Sequence, residues 1–322
     1  MDVVSQVAPA PGRGFRRRLF GLSRRQRREA LQFYLLVAPW VIGFLCLTAG
    51  PMLYSLFLSF TDYDLFHAPQ WIGLGNFSFL FSAPYPESLF WKSLMVTAYY
   101  TFLTVPVGLI GSLILALMLN AHIRGVPLYR TLFYLPSLTP GVANALLWVW
   151  IFNSKFGLAN AALRVLDIPA QRWLTDPHLV IPSLVLMDMW GLGGNTAIIF
   201  LAGLQGVSTQ LYDAAQIDGA DWWHRFWSVT VPQISPTIFF NMILGFIGAF
   251  QVFNSAFLMT DGGPDYNSYF MGYYIYNEAF KALRMGRGSA LAWILFIILL
   301  FFTLLQFTLS KRWVYYEGGA PQ

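Results

Sequence analysis

The chain has 322 residues, of which 57% are hydrophobic and only 11% are charged. Soluble domains carry about 25% charged residues, so this composition, with a mean hydropathy of +0.54, excludes an ordinary soluble protein and indicates a membrane protein. The net charge of +5 does not indicate nucleic-acid binding, because the arginines are concentrated in one block before the first apolar segment.

That block contains eight arginines between Arg13 and Arg28. Arginines beside an apolar segment mark the cytoplasmic side of a membrane span, and they can also contact anionic lipid. The apolar run that follows has about thirty residues, whereas the apolar region of a signal peptide has about 7 to 15. We therefore expect a retained first span and assign residues 1–30 to a basic cytoplasmic segment.

Six apolar runs are long enough to cross a bilayer, which takes about 20 helical residues. They are Leu31 to Phe60, Leu94 to Leu119, Leu128 to Phe152, Leu179 to Leu204, Thr237 to Met259, and Ala290 to Leu309. With six spans both termini are cytoplasmic, and thirteen of the twenty Lys and Arg residues then lie inside, as the positive-inside rule expects. The sequence thus predicts an all-α polytopic membrane protein, with a transmembrane domain over residues 31–309 and a cytoplasmic tail over residues 310–322.

The fourth span contains an acid, Asp188, next to an irregular glycine-rich segment at residues 189–195. An ionisable residue inside a span costs at least about 2.5–3.5 kcal/mol to insert, and irregular backbone at this depth is tolerated mainly where it lines a cavity. If the segment is helical, Asp188 and Asn195 share one face with Leu192 between them. The pair could recognise hydroxyl groups, or Asp188 could instead bond to a neighbouring helix.

The cytoplasmic connection between the fourth and fifth spans is longer than an ordinary helix connection of a few residues. Ser208 or Thr209 can cap a first helix, and Gly219 is a natural stop for it. Asp221 can cap a second short helix, which Pro232 closes before the fifth span.

The two halves of this connection differ in chemistry. The first half is small and acidic around Asp213, Ala214 and Ala215, and the second half is rich in tryptophan. We interpret the connection as the place where a soluble motor subunit contacts the membrane protein. An amphipathic helix with tryptophans at the headgroups is the alternative, and it would explain the aromatic half but not the acidic one.

The fifth span contains three amides, Asn241, Gln251 and Asn254, interleaved with phenylalanines. Amides and aromatic faces are the groups that a sugar site uses, but amides also join membrane helices at a fraction of a kcal/mol to about 2 kcal/mol each. Both interpretations stay open for Gln251 and Asn254.

The long connection resembles the EAA motif, E-A-A-x-x-x-G, nine residues and I-x-L-P, of ATP-binding-cassette importer permeases. The matching residues are Asp213, Ala214, Ala215, Asp218, Gly219, Ala220, Phe226, Val229, Val231 and Pro232. Asp213 replaces Glu, and valines replace Ile and Leu. Segments 73–77, 261–264 and 276–280 are similar to the carbohydrate-uptake branch, and within it to the first permease of maltose-type transporters.

The resemblance implies the type I ABC importer permease fold in a bacterial inner membrane, with sugar moved into the cytoplasm by alternating access. It also implies a second permease subunit, two ATP-binding subunits that bind ATP and Mg, and an extracytoplasmic sugar-binding protein. The matching residues from Asp213 to Pro232 would contact an ATPase. The chain has four lysines and none follows a glycine, so it has no P-loop. We therefore expect no catalytic residue, metal or cofactor in this chain.

The resemblance also implies sugar-contacting positions. Counting back from Asp213 without gaps, Asp188, Leu192 and Asn195 fall where maltose-type permeases present an Asn, a Gly and a Tyr to the sugar. Three residues of the third span fall near another contact patch of that family, and two of the fifth span complete the predicted site. These are Ser137, Gly141, Asn144, Gln251 and Asn254. A carboxylate at position 188 could favour an amino sugar or simply more hydroxyls.

Two other function classes remain open on the residues alone. An ion-coupled secondary transporter would use Asp188 as a proton or sodium site. A membrane-embedded enzyme is the other, but the four histidines lie far apart and show no metal-ligand spacing.

Overall fold

The computed structural model describes residues 24–84, 87–121 and 124–315. Within these ranges the regular structure is helical apart from two short antiparallel strands, β1 (Thr61–Asp62) and β2 (Gln70–Trp71). The predicted all-α class is therefore confirmed. Most of the predicted basic segment, residues 1–23, and the end of the predicted tail, residues 316–322, lie outside the described residues.

The chain divides into two compact units, residues 1–55 and 56–322. The first unit is described from helix α1 (Arg24–Phe44), which continues through a π-helical turn, Leu45–Ala49, into α2 (Gly50–Ser59). Pro39 lies inside α1. The described basic residues belong to the same helix as the apolar residues that follow them. The predicted domain bounds at residues 30 and 309 stay a prediction.

The second unit contains the other helices. They are α3 (Gly75–Phe81), α4 (Leu89–Leu119), α5 (Val126–Tyr134), α6 (Gly141–Ile151), α7 (Leu158–Val165), α8 (Val180–Met189), α9 (Asn195–Gln205), α10 (Thr209–Ile217), α11 (Trp222–Arg225), α12 (Val231–Gln233), α13 (Ser235–Phe250), α14 (Met271–Tyr276) and α15 (Met285–Ser310). π-Helical turns lie at Phe226–Thr230, Ala256–Thr260 and Asn277–Lys281, and short 3-10 turns at Leu135–Leu138 and Pro264–Tyr266.

Three helical runs among the described residues are long and apolar enough to cross a membrane unbroken: Arg27–Ser59, Leu89–Leu119 and Met285–Ser310. Two further candidates are bent helix pairs, Val126–Leu138 with Gly141–Ile151 at 93° and Trp222–Gln233 with Ser235–Phe250 at 66°. The predicted fourth span consists of two shorter apolar helices, α8 and α9. The sequence thus locates the apolar runs, but several of them are not single helices.

Helix α4 is the centre of the second unit and packs against α8, α9 and α13. Its N-terminal half joins a core cluster that includes Phe90, Tyr100 and Phe270, and its C-terminal half packs against Phe200 and Leu201 of α9. Inside a membrane such packing is the main source of helix association, and truncating a buried phenylalanine costs about 3–5 kcal/mol. The position of α4 therefore fixes the geometry of the region where α8, α9 and α13 meet.

Asn76 joins the short hairpin to α3. Its side chain is 4% exposed, and its Nδ2 donates to the carbonyl oxygens of Ser59 at 2.9 Å and Thr61 at 2.8 Å. Asn76 opens a nominal Asn-Phe-Ser glycosylation triplet, but the buried amide is used to hold the chain together.

A polar cluster closes the turn that follows the fifth predicted span. Asp261 adopts a left-handed conformation with φ 48°, as do Gly262 and Gly263 with φ 91° and 71°. The Tyr273 hydroxyl donates to the Asp261 carboxylate, and Lys281 Nζ lies 3.5 Å from the same oxygen. The tyrosine hydrogen bond, followed by the charge of Lys281, lowers the pKa of Asp261 below its usual range.

Candidate functional site

Three of the predicted spans are interrupted within the described structure. The third bends between Leu138 and Gly141, the fourth is broken by turns at residues 190–194, and the fifth is non-helical at residues 251–253. The expectation that Asp188 and Asn195 share one face of a continuous helix is wrong, because the backbone leaves the helix between them. A Cβ on Gly193 would lie 2.6 Å from the carbonyl carbon of Phe133, so glycine is what allows the break to approach α5.

The breaks lie next to one another. A Cβ on Gly194 would come within 2.9 Å of the Ser137 side chain, and a Cβ on Gly141 within 3.3 Å of Asn254 Nδ2. The bend of the third span therefore contacts the broken segments of both the fourth and the fifth. Non-helical backbone at membrane depth is tolerated where protein or a cavity surrounds it, and the convergence of three breaks satisfies that condition.

A cavity of about 320 Å³ lies beside the fourth-span break, between α4, α8, α9 and α13. Most of its wall is apolar. Its polar side is formed by side chains from all four helices: Tyr100, Thr104, Ser112, Asp188, Thr196 and Asn241. The volume is at the lower end of the roughly 300–1,000 Å³ that is typical of small-molecule sites.

Two features define the chemistry of this cavity. The Tyr100 hydroxyl donates to the Asp188 carboxylate, 88 residues away in sequence. Asn241 is buried, and its Nδ2 has no hydrogen-bond partner among the described residues. A buried donor without a partner costs about 1–3 kcal/mol, so Asn241 is positioned to donate to a polar ligand or water in the cavity.

A second functional surface is formed by the connection at residues 208–233. The Ser208 hydroxyl accepts from the Gln210 amide at 3.3 Å and caps α10. The helix ends at Ile217, and Gly219 follows with φ +79° while the Ala220 amide donates to the Ala215 carbonyl at 2.9 Å. This left-handed glycine ending is common at helix C-termini, and it confirms the predicted start and stop of the first helix.

Asp221 caps the second half, as predicted. Its carboxylate accepts from the amide of His224 at 2.8 Å and contacts the imidazole at 2.8 Å, and these contacts lower the pKa of Asp221 below its usual range. The second half continues through a π-helical turn and ends at Gln233, one residue after Pro232, where the chain bends by 66° into α13. The predicted close at Pro232 is therefore confirmed to within one residue.

The two halves are packed together and leave a broad exposed surface. The Tyr212 hydroxyl and Thr230 Oγ1 are 3.0 Å apart and join α10 to the π-helical turn. Trp222 and Phe226 stack with ring centroids 5.8 Å apart. On α10, Asp213 and Ala214 are exposed, and Ile217 is 87% exposed. An apolar residue this open, beside small and acidic residues, suits a protein contact.

Comparison with known proteins decides the family. The family described as "Binding-protein-dependent transport system inner membrane component" matches residues 108–315. The chain belongs to this family. The probable ABC transporter permease protein YesP of Bacillus subtilis (strain 168) is 40% identical over 92% of this chain and 96% of its own length.

More distant relatives agree in length and fold. The trehalose/maltose transport system permease protein MalF of Thermococcus litoralis is 29% identical over 90% of this chain and 97% of its own. In the crystal structure of a bacterial alginate ABC transporter with its pentasaccharide-bound periplasmic protein, one chain superposes with a TM-score of 0.77. It is 23% identical and covers 89% of this chain and 96% of its own. The predictions of an ABC importer permease fold, an inner-membrane location and a transport subunit rather than an enzyme are confirmed.

The permease brings together only part of the substrate site that the sequence predicts. Asp188 and Leu192 line the cavity. Gly141 and Asn254 adjoin each other at the neighbouring bend. The other predicted substrate residues are not among those that line the cavity: Ser137, Asn144, Asn195 and Gln251.

Five polar residues of the cavity were absent from the predicted site: Thr196, Asn241 and, on α4, Tyr100, Thr104 and Ser112. The three on α4 belong to the second predicted span. A signal for them exists, since small or polar residues recur every three or four positions along the second span. They are Ser93, Thr97, Tyr100, Thr101, Thr104, Gly108 and Ser112. Such spacing marks one face of a helix, and a polar face inside a membrane must meet protein or a cavity.

Proposed function

We propose that this permease carries a sugar, recognised through its hydroxyl groups, across the membrane through the cavity beside Asp188. The arrangement of Asp188, Tyr100 and Asn241 around one cavity is the observation that carries the proposal. A carboxylate accepts hydrogen bonds from hydroxyls, a buried amide donates one, and the apolar wall can pack against the face of a sugar ring.

The charge of the cavity narrows the class of sugar. Among the described residues that line the cavity, Asp188 is acidic and none is Lys, Arg or His. An acidic sugar would meet a like charge there, which costs energy in a poorly hydrated site. We therefore favour a neutral or amino sugar at this position. The transport system of the MalF relative is named for trehalose and maltose, which are neutral sugars.

The exposed surface of α10 and the glycine turn supports contact with an ATPase. The proposed contact residues are Asp213, Ala214, Ala215, Asp218, Gly219 and Ala220, with Phe226 and Pro232 in the second half. The Tyr212 hydroxyl of the first half contacts Thr230 Oγ1 of the second at 3.0 Å, so the second half holds the first in place. In this proposal ATP and Mg are bound by two partner subunits, and closure of these subunits moves the connection and reorients the cavity.

The same proposed transport mechanism also implies the partner subunits of this chain and its orientation in the membrane. A second permease subunit would complete the passage, and an extracytoplasmic binding protein would deliver the sugar. Both termini of this chain would be cytoplasmic, on the same side as residues 208–233. Ser137, Gly141, Asn144, Asn195, Gln251 and Asn254 would then face the second subunit or line the route beyond the cavity.

Reconstitution tests the proposal. The permease is purified with its partner chains, placed in proteoliposomes with its binding protein, and assayed for uptake of neutral, amino and acidic sugars matched in size. We expect uptake of a neutral or amino sugar that needs internal ATP and survives ionophores. Uptake that continues without ATP and stops when the ion gradients collapse would instead show a secondary transporter.

A further inference from the structure

A second polar cavity, here called the Arg130 cavity, lies at the end of the helix bundle that carries residues 208–233. It has a volume of about 590 Å³ and lies between the adjacent ends of α4, α5, α9 and α10. Its polar wall consists of Asn120, Arg130, Gln205, Thr209 and Tyr212. It shares no lining residue with the cavity at Asp188, so the proposed sugar route does not account for it.

Arg130 is the charged residue of this cavity and is incompletely paired. Its Nη2 donates to the Leu119 carbonyl at the end of α4, at 3.1 Å. Its Nε is buried and has no hydrogen-bond partner in the part of the chain that the structure describes. Among the ion pairs of the described residues none includes Arg130. A guanidinium has five N–H donors, so the single bond to Leu119 leaves most of them available.

Arg130 is half-buried, and a partly desolvated guanidinium without a counter-charge is unfavourable because its lost hydration is not compensated. The four other polar lining residues bear no formal charge. Arg124, in the turn just before α5, is exposed and adds positive charge to this end of the bundle. The cavity is therefore suited to an anion, with the Thr209 hydroxyl and the Gln205 amide among its lining groups as further donors.

We propose that the Arg130 cavity binds a phosphate group, either from an anionic lipid headgroup or from a soluble phosphate. The planar fork of arginine pairs with two phosphate oxygens at once, and basic pockets between membrane helices on the cytoplasmic side bind lipid headgroups. Thr209 and Tyr212 belong to α10, so a bound phosphate would join the end of α4 to the helix that carries the proposed ATPase contact.

Binding measurements on the full chain, purified with the partner chains that accompany it, test the proposal. In nanodiscs of phosphatidylcholine, the unfolding temperature is measured with inorganic phosphate against chloride at equal ionic strength. In nanodiscs containing phosphatidylglycerol, retained lipid is counted by native mass spectrometry. A response in the first arm identifies soluble phosphate as a source, and retained phosphatidylglycerol identifies a lipid headgroup; either supports the proposal.

Arg130→Gln and Arg124→Gln form the matched pair. Each removes one positive charge from the N-terminal end of α5 or the turn before it, but of the two only Arg130 lines the cavity. A hydrogen bond to a charged group is worth about 1.5–3 kcal/mol, so Arg130→Gln should weaken binding about ten- to a hundredfold, while Arg124→Gln should bind like the wild type. Equal behaviour of the two variants, or no response of the wild type in either arm, would overturn the proposal.

A further variant covers the case in which Arg130→Gln does not assemble. Gln205→Leu removes a polar group from the cavity wall without touching the Leu119 contact. It should bind phosphate or lipid more weakly than the wild type, and unchanged binding would count against the site. Neither variant changes a residue of the proposed sugar cavity or ATPase contact, so failure here leaves the proposed function intact.

Discussion

Gly219 offers a way to separate backbone strain from surface contact in the connection between α9 and α13. Its φ is +79° and a Cβ placed there would have no neighbour within 4 Å. Alanine at this position adds little bulk, but its Cβ makes the left-handed backbone conformation less favourable by roughly 1–2 kcal/mol. Asparagine adopts this conformation far more readily, but it projects an amide from the surface proposed to contact the ATPase.

Which of the two substitutions is the more harmful therefore depends on whether the backbone conformation or a surface contact is what position 219 provides. If only the backbone matters, Gly219→Ala is the more harmful, since 1–2 kcal/mol changes a population ratio by about 5–30-fold. If Gly219 lies in a packed contact, Gly219→Asn is the more harmful, because overpacking costs about 1–3 kcal/mol, or tenfold and more in coupling. We expect the second order.

The assay measures sugar uptake, ATPase activity and co-purification of the ATPase chains for both variants. Gly43→Ala is the control, because a Cβ at Gly43 is also in open space and its φ is not positive. Uptake that is lower in Gly219→Ala than in Gly219→Asn, or equal in all three variants, would refute the contact at Gly219.

Three other sites give testable expectations. Asp188→Asn and Tyr100→Phe should each lower uptake about tenfold without loss of assembled complex, because each removes part of a hydrogen bond worth about 1–3 kcal/mol; unchanged transport kinetics would exclude Asp188 from the sugar route. The pKa of Asp261 is lowered in the folded protein, so the stability from its tyrosine and lysine partners is present above the unfolded pKa and is lost as pH falls through the folded pKa. Asp261→Asn should therefore unfold at a slightly lower temperature than the wild type at neutral pH, and the difference should be small because the carboxylate is exposed. The unfolding temperatures of the two proteins should become equal in acid, and a difference that persists there would point to another cause. Asn76→Ala should destabilise the protein by about 1–3 kcal/mol, since it leaves two carbonyl oxygens without their donor; thermal inactivation of the purified protein measures this, and an unchanged rate would show that water replaces the amide.

The sequence alone determined the features that depend on neighbouring residues. Apolar length located the membrane segments, because the bilayer thickness sets how many apolar residues a crossing needs. Ser208, Gly219 and Asp221 marked the ends of the two helices in the long connection, because capping is a property of a few adjacent residues. Pro232 marked the end of the second helix to within one residue for the same local reason, since a proline removes a backbone donor and restricts its neighbour.

Only the tertiary structure decided which polar groups meet. The Tyr100–Asp188 contact joins residues 88 apart in sequence, and it depends on how α4 and α8 pack. The breaks at Leu138–Gly141, residues 190–194 and residues 251–253 were visible as irregular sequence in part, but their convergence was not. Local propensity fixes where a helix can begin or end, whereas a cavity is produced by the packing of distant segments. That packing placed Asp188 in the lining of the cavity and left Asn195 out of it.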